Sequence, residues 1–112
     1  MFSIILSTAK LFGEIVSRSP LKKPVIVVAY SNTDGNVKIA DYAVLSGPGQ
    51  YEMIVQEGTY EIFAYEDKDE SFSYDRGEWA GYYGKPGKVK TQMGGVIYGL
   101  EILLTSEHTA PV

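Results

Sequence analysis

Residues 47–66 constrain this chain more than any other stretch: Gly-Pro-Gly-Gln-Tyr-Glu-Met-Ile-Val-Gln-Glu-Gly-Thr-Tyr-Glu-Ile-Phe-Ala-Tyr-Glu. Tyr51, Met53 and Val55 take every second position, then a Glu57-Gly58-Thr59 break intervenes. Beyond it Tyr60, Ile62 and Ala64 face one way while Glu61, Phe63 and Tyr65 face the other. A period of two belongs to strands, not helices. Two such runs joined by a short glycine-bearing break predict an antiparallel hairpin.

Five further strands follow from the same reasoning. Ala9–Val16 carries apolar anchors at Leu11, Ile15 and Val16, with Gly13 expected as a bulge. Val25–Tyr30 is a continuous, mostly β-branched run, which suits a strand covered on both sides or placed centrally. Asp34-Gly35 predicts a tight hairpin into Val37–Leu45, where Val37, Ile39, Ala43 and Leu45 share a face that Asp41 interrupts. Gly87–Gln92 reads as an edge strand guarded by Lys88 and Lys90. Met93-Gly94-Gly95 turns into a last strand in which Val96, Tyr98, Leu100, Ile102 and Leu104 alternate. No segment shows convincing helical periodicity. Twelve Gly and nine Tyr suit frequent turns and half-buried aromatics. The expected fold is all-β, an antiparallel β-sandwich of about seven strands, immunoglobulin-like or prealbumin-like.

At 112 residues the chain fits one domain, expected over residues 9–104 with an extension at 1–8 and a tail or linker at 105–112. A net charge of −4 argues against nucleic acid as a partner. With no Cys, disulfides and thiolate chemistry are excluded. The apolar start Phe2–Leu6 is too short to span a membrane, and it lacks the basic n-region and cleavage site of a signal peptide.

Gly49-Gln50-Tyr51 leading to Val55, then Glu57-Gly58-Thr59-Tyr60-Glu61-Ile62-Phe63-Ala64-Tyr65-Glu66-Asp67, resembles the G-x-Y … v-x-x-G-x-Y-x-l-x-a-x-x-D hallmark of carboxypeptidase-regulatory-like domains. These are β-sandwiches similar to prealbumin and to the B-repeats of bacterial surface adhesins. The resemblance spans roughly residues 9–104, with motif-grade matches in 47–84. It implies a non-catalytic module of a secreted or envelope protein, and so an extracytoplasmic location. Neither an adhesin-type Lys–Asn crosslink nor a zinc-peptidase motif can be placed in this sequence.

Eight of the fourteen acidic residues lie between Glu57 and Glu78. Asp67, Asp69, Ser71, Ser73, Asp75 and Glu78 fall at positions 1, 3, 5, 7, 9 and 12 of a loop, the spacing with which calcium loops gather oxygens around a hard cation. Phe72 stands where such loops carry glycine, and Lys68 and Arg76 offer another way to neutralise the charge. The competing reading is a solvated acidic loop. Trp79, Tyr82 and Tyr83 could form a platform for sugar rings or a protein partner, or instead cap the sandwich core. His108 stands alone. Asp67 and Asp69 have no accompanying nucleophile, and Ser46 sits in no Gly-x-Ser-x-Gly elbow. Gly47-Pro48-Gly49 and Gly94-Gly95 lack the following helix that phosphate binding uses.

The sequence thus points to a non-enzymatic accessory module acting through protein contact or domain support, with calcium as its one candidate cofactor. A carbohydrate-binding module is the second reading, its partner a polysaccharide. In a third, the chain is the N-terminal piece of a longer hydrolase and contacts its own catalytic domain, a reading that Ala110-Pro111-Val112 suggests by its linker-like character.

Overall fold

The computed structural model describes residues 8–18, 24–67, 78–84 and 87–105. Among these there is no helix, and nine strands build two sheets packed as a sandwich. In order they are β1 (Thr8–Ser17), β2 (Val25–Thr33), β3 (Asn36–Leu45), β4 (Gly49–Gln56), β5 (Gly58–Glu66), β6 (Ala80–Tyr82), β7 (Val89–Thr91), β8 (Val96–Ile97) and β9 (Ile102–Leu104). The first sheet runs β4-β1-β8, with β9 also on β1; the second runs β3-β2-β5-β6, with β7 also on β5.

The core lies between the sheets, and strand alternation fills it. From the first sheet Leu11, Ile15, Tyr51, Met53 and Val55 point inward; from the second, Val25, Val27, Ala29, Tyr60, Ile62 and Ala64. As expected, β2 is central, between β3 and β5, and covered on both sides. Its outward residues Ile26 and Tyr30 join Phe63, Tyr65 and Ala80 in a second apolar cluster on the far face of the second sheet. The β2–β3 hairpin is also as read. Asp34 and Gly35 hold φ of 53° and 85°, the left-handed pair that a tight two-residue turn needs, and the Asn32 side chain accepts the Gly35 N–H at 3.0 Å.

Four expectations are corrected. The 47–66 motif is no hairpin: β4 pairs with β1 and β5 with β2, so the two runs belong to opposite sheets. Gly58 is not among the glycines with positive φ, so the break lacks the left-handed residue that folds strands side by side. The chain crosses at Glu57 instead, and Tyr51, Met53 and Val55 meet Tyr60, Ile62 and Ala64 across the core. Thr91 Oγ1 holds this crossing, accepting the Gly58 N–H at 2.9 Å and donating to the carbonyl of Gln56 or of Gly58, 3.0 and 3.2 Å away.

Gly13 makes no bulge, since β1 and β4 keep register through Gly13 opposite Tyr51. Any side chain at Gly13 would meet the Leu100 carbonyl and the Tyr51 ring. The bulge lies in β3, where register slips between Ala29 and Tyr30 and leaves Ala40 extra. Ala43 and Leu45 therefore face the core, whereas Val37 packs on the outer cluster and Ile39, opposite Tyr30, turns outward.

The last run is two short strands, both parallel to β1. Gly99, at φ 77°, breaks it, so Leu100, Ile102 and Leu104 are buried while Val96 and Tyr98 are exposed. Tyr98 stacks on Phe12 outside the sheet, ring centroids 5.1 Å apart. The three-residue β6 carries no strand signal of its own in the sequence, lying among the glycines and aromatics that follow the acidic loop.

Candidate functional site

The two sides of the sandwich are built differently. On one side β6 and β9 close the gap: Ala80 and Thr105 exchange backbone hydrogen bonds of 2.9 and 2.8 Å. On the other, β3 and β4 are both sheet edges and face each other without pairing. There the Asp41 carboxylate bridges the sheets, one oxygen accepting the Tyr42 N–H at 2.8 Å and the other the Ile54 N–H at 2.9 Å. The residue that interrupts the apolar pattern of β3 is thus the one that satisfies two edge donors.

Beside that bridge the outer face of β3 carries unusual apolar exposure. Ile39 is 64% exposed, Tyr42 61% and Val44 48%. On the same face Val37 of β3 and Val28, paired with Tyr42, lie half-buried on the second cluster, whose far end is Tyr82 on β6. Phe63 anchors that cluster, its ring 6.0 Å from Tyr65 and 5.1 Å from Tyr82. Within it, the Tyr30 hydroxyl is buried with no hydrogen-bond partner. Burial first, and the proximity of Glu61 and Tyr82 second, push its ionisation well above the ordinary tyrosine range. Sequence alternation alone could not reveal this face, because the Ala40 bulge swaps which residues look outward.

A groove of about 400 Å³ opens between the same edges, below the Asp41 bridge. Lys38, Ile39 and Ala40 line it from β3, Ile54 and Gln56 from β4, with Tyr60 beneath. Its edge groups are engaged: the Gln56 carbonyl accepts from the Tyr60 hydroxyl at 2.7 Å, and Thr91 Oγ1 lies 3.0 Å from it.

Of the six residues in the expected calcium loop, Asp67 and Glu78 are described; Asp69, Ser71, Ser73 and Asp75 lie outside the described residues. The fold brings the two loop ends together. Glu66 N–H donates to Trp79 O at 2.7 Å, just beyond the Tyr65–Ala80 pair, and Asp67 N–H donates to Pro24 O at 2.8 Å. Both carboxylates are buried, and neither stands free. Among the described residues no group of three or more acids or histidines is arranged to hold a metal ion.

The aromatic trio is not brought onto one face. Trp79 and Tyr83 pack half-buried against the inner core, while Tyr82 belongs to the outer cluster with Phe63. Strand alternation through β6 causes the split, since Gly81 between them faces the carbonyl of Leu103. His108 lies outside the described residues. Among the described residues no helix is long and apolar enough to cross a membrane. No protein-family model matches the chain, and no curated relative matches its sequence.

Proposed function

We propose that this chain is a non-catalytic accessory module of a secreted or envelope protein, and that it works by seating another protein surface on the outer face of β3. One observation carries the reading: the second sheet is apolar on both sides, and Ile39, Tyr42 and Val44 extend the outer cluster into solvent. A sheet that faces water normally shows it polar residues, and contiguous apolar exposure marks contact surfaces. Covering the half to two-thirds of these side chains that is still exposed contributes about 1–2 kcal/mol each. Tyr42 supplies in addition a rigid ring with a polar tip, the sort of group that dominates protein contacts. The Asp41 bridge holds β3 beneath this face at its open edge.

The test compares the native chain with a Tyr42→Lys/Val44→Lys double variant as immobilised bait. Each is offered the remainder of the parent protein and, separately, a panel of polysaccharides. The reading predicts protein capture by the native chain, lost in the double variant at unchanged strand content. Retention of a polysaccharide, abolished by Trp79→Ala and indifferent to the double variant, would transfer the function to the aromatic segment after the acidic loop.

A further inference from the structure

We infer that the backbone edge of β3 is a self-pairing surface for a second copy of this chain, and that Asp41 holds it shut. The inference concerns hydrogen-bonding groups in the plane of the sheet, and it stands independently of the face reading above.

β3 is ten residues long and has no neighbour beyond it in its sheet. Long edge strands are templates for pairing unless something blocks them. Here the lower half is interrupted by the Ala40 bulge, leaving residues 41–45 as the regular part. The Tyr42 N–H donates to the Asp41 side chain, whose other oxygen reaches β4, which sets this donor on the open edge of β3. By the alternation of an antiparallel ladder, Val44 presents its backbone groups on that same open edge.

A two-fold axis through Ala43 sets Tyr42 opposite Val44 of the second copy, and Val44 opposite its Tyr42. Both positions then exchange N–H and carbonyl groups in a hydrogen-bonded pair, and an aromatic residue lies across from a β-branched one. Asp41 falls opposite Leu45, so no like charges meet in this register. A second copy fits because the edge is complementary to itself under a two-fold, the commonest symmetry of soluble assemblies. What opposes pairing is the carboxylate: it occupies the Tyr42 donor and ties β3 to β4 through Ile54.

Sedimentation across a concentration series tests this on the native chain and on Asp41→Ala, Asp41→Asn and Asp41→Ala/Val44→Pro. The native chain is expected at its monomer mass of 12.3 kDa. Asp41→Ala is expected at twice that mass. Proline at position 44 removes the outward donor, a change that an edge strand accommodates, and returns the double variant to monomer. Asp41→Asn keeps the side-chain shape but only one acceptor oxygen, and it carries the test if the alanine variant does not fold. It is expected to associate and to exchange either the Tyr42 or the Ile54 amide faster than the native chain. Three results overturn the inference: a folded Asp41 variant that stays monomeric, a dimer that survives Val44→Pro, or a native chain that already pairs through this edge.

Discussion

The Tyr51 hydroxyl donates to the Leu100 carbonyl at 2.6 Å, in the buried interior and across 49 positions of sequence. Its ring lies against Gly13, the residue opposite it in the β1–β4 ladder. Gly13 thus provides the space through which β4 is tied to the segment joining β8 and β9. A methyl group there would meet the Leu100 carbonyl and come within 2.5 Å of the Tyr51 hydroxyl. We predict that Gly13→Ala costs about 3 kcal/mol, at the upper end for overpacking, because backbone on one side and a hydrogen-bonded ring on the other cannot both yield. Urea unfolding reads this directly; a loss under about 0.5 kcal/mol, the scatter of neutral substitutions, would show that the site relaxes.

Tyr51 and Tyr30 should respond oppositely to loss of the hydroxyl. Tyr51→Phe leaves the buried Leu100 carbonyl without its donor and should cost about 1–3 kcal/mol. Tyr30→Phe removes a buried hydroxyl that has no partner, and should be neutral or stabilising. Equal losses in the two variants would mean that Tyr30 has a partner.

Alkaline pH should unfold this protein chiefly through the same two tyrosines, with Tyr60, also raised by burial, adding to them. Burial raises both above the ordinary value of about 10, with Glu61 and Tyr82 adding to the effect at Tyr30 and Tyr83 at Tyr51. The unfolded chain then releases its tyrosine protons at lower pH than the native one. Their contribution is complete below about pH 10 and is lost as pH climbs from there toward the native-state values. The slope approaches about 1.4 kcal/mol per pH unit for each tyrosine. Urea midpoints from about pH 9 to 11.5 should fall progressively, and less steeply in Tyr30→Phe. A flat profile contradicts the burial of these hydroxyls.

At the base of the acidic loop, Asp67→Asn should destabilise by about 1–3 kcal/mol in EDTA, because it alters a buried and engaged carboxylate. Repeating the melts in about 5 mM calcium, above the weak range of extracellular sites, isolates any metal contribution. A calcium-dependent rise in the native chain that Asp67→Asn abolishes would assign the loop to metal. Equal melts with and without calcium leave Asp67 and Glu78 as structural carboxylates.

Much of the fold was legible in the residues. Alternation in β4 and β5 separated their two faces correctly, and Asp34-Gly35 and Met93-Gly94-Gly95 marked tight turns, because side-chain period and turn chemistry are local properties. Which strand pairs with which was not legible in 47–66. Two alternating runs around a glycine serve a hairpin and an inter-sheet crossing equally well, and only the φ of Gly58 separates them. Nor could the outer face of β3 be read, since one extra residue at Ala40 reverses the side on which Val37 and Ile39 lie. Asp41 was visible as an interruption, but its two bonds join segments 13 positions apart in different sheets.

The most direct test of the contact-module account places a photo-crosslinking phenylalanine at Tyr42, and in a second variant at the exposed Glu14 of the other sheet, in the organism that makes the protein. The account predicts a discrete protein adduct from position 42 and none from position 14. Adducts from position 14 alone, or from neither position, would contradict it.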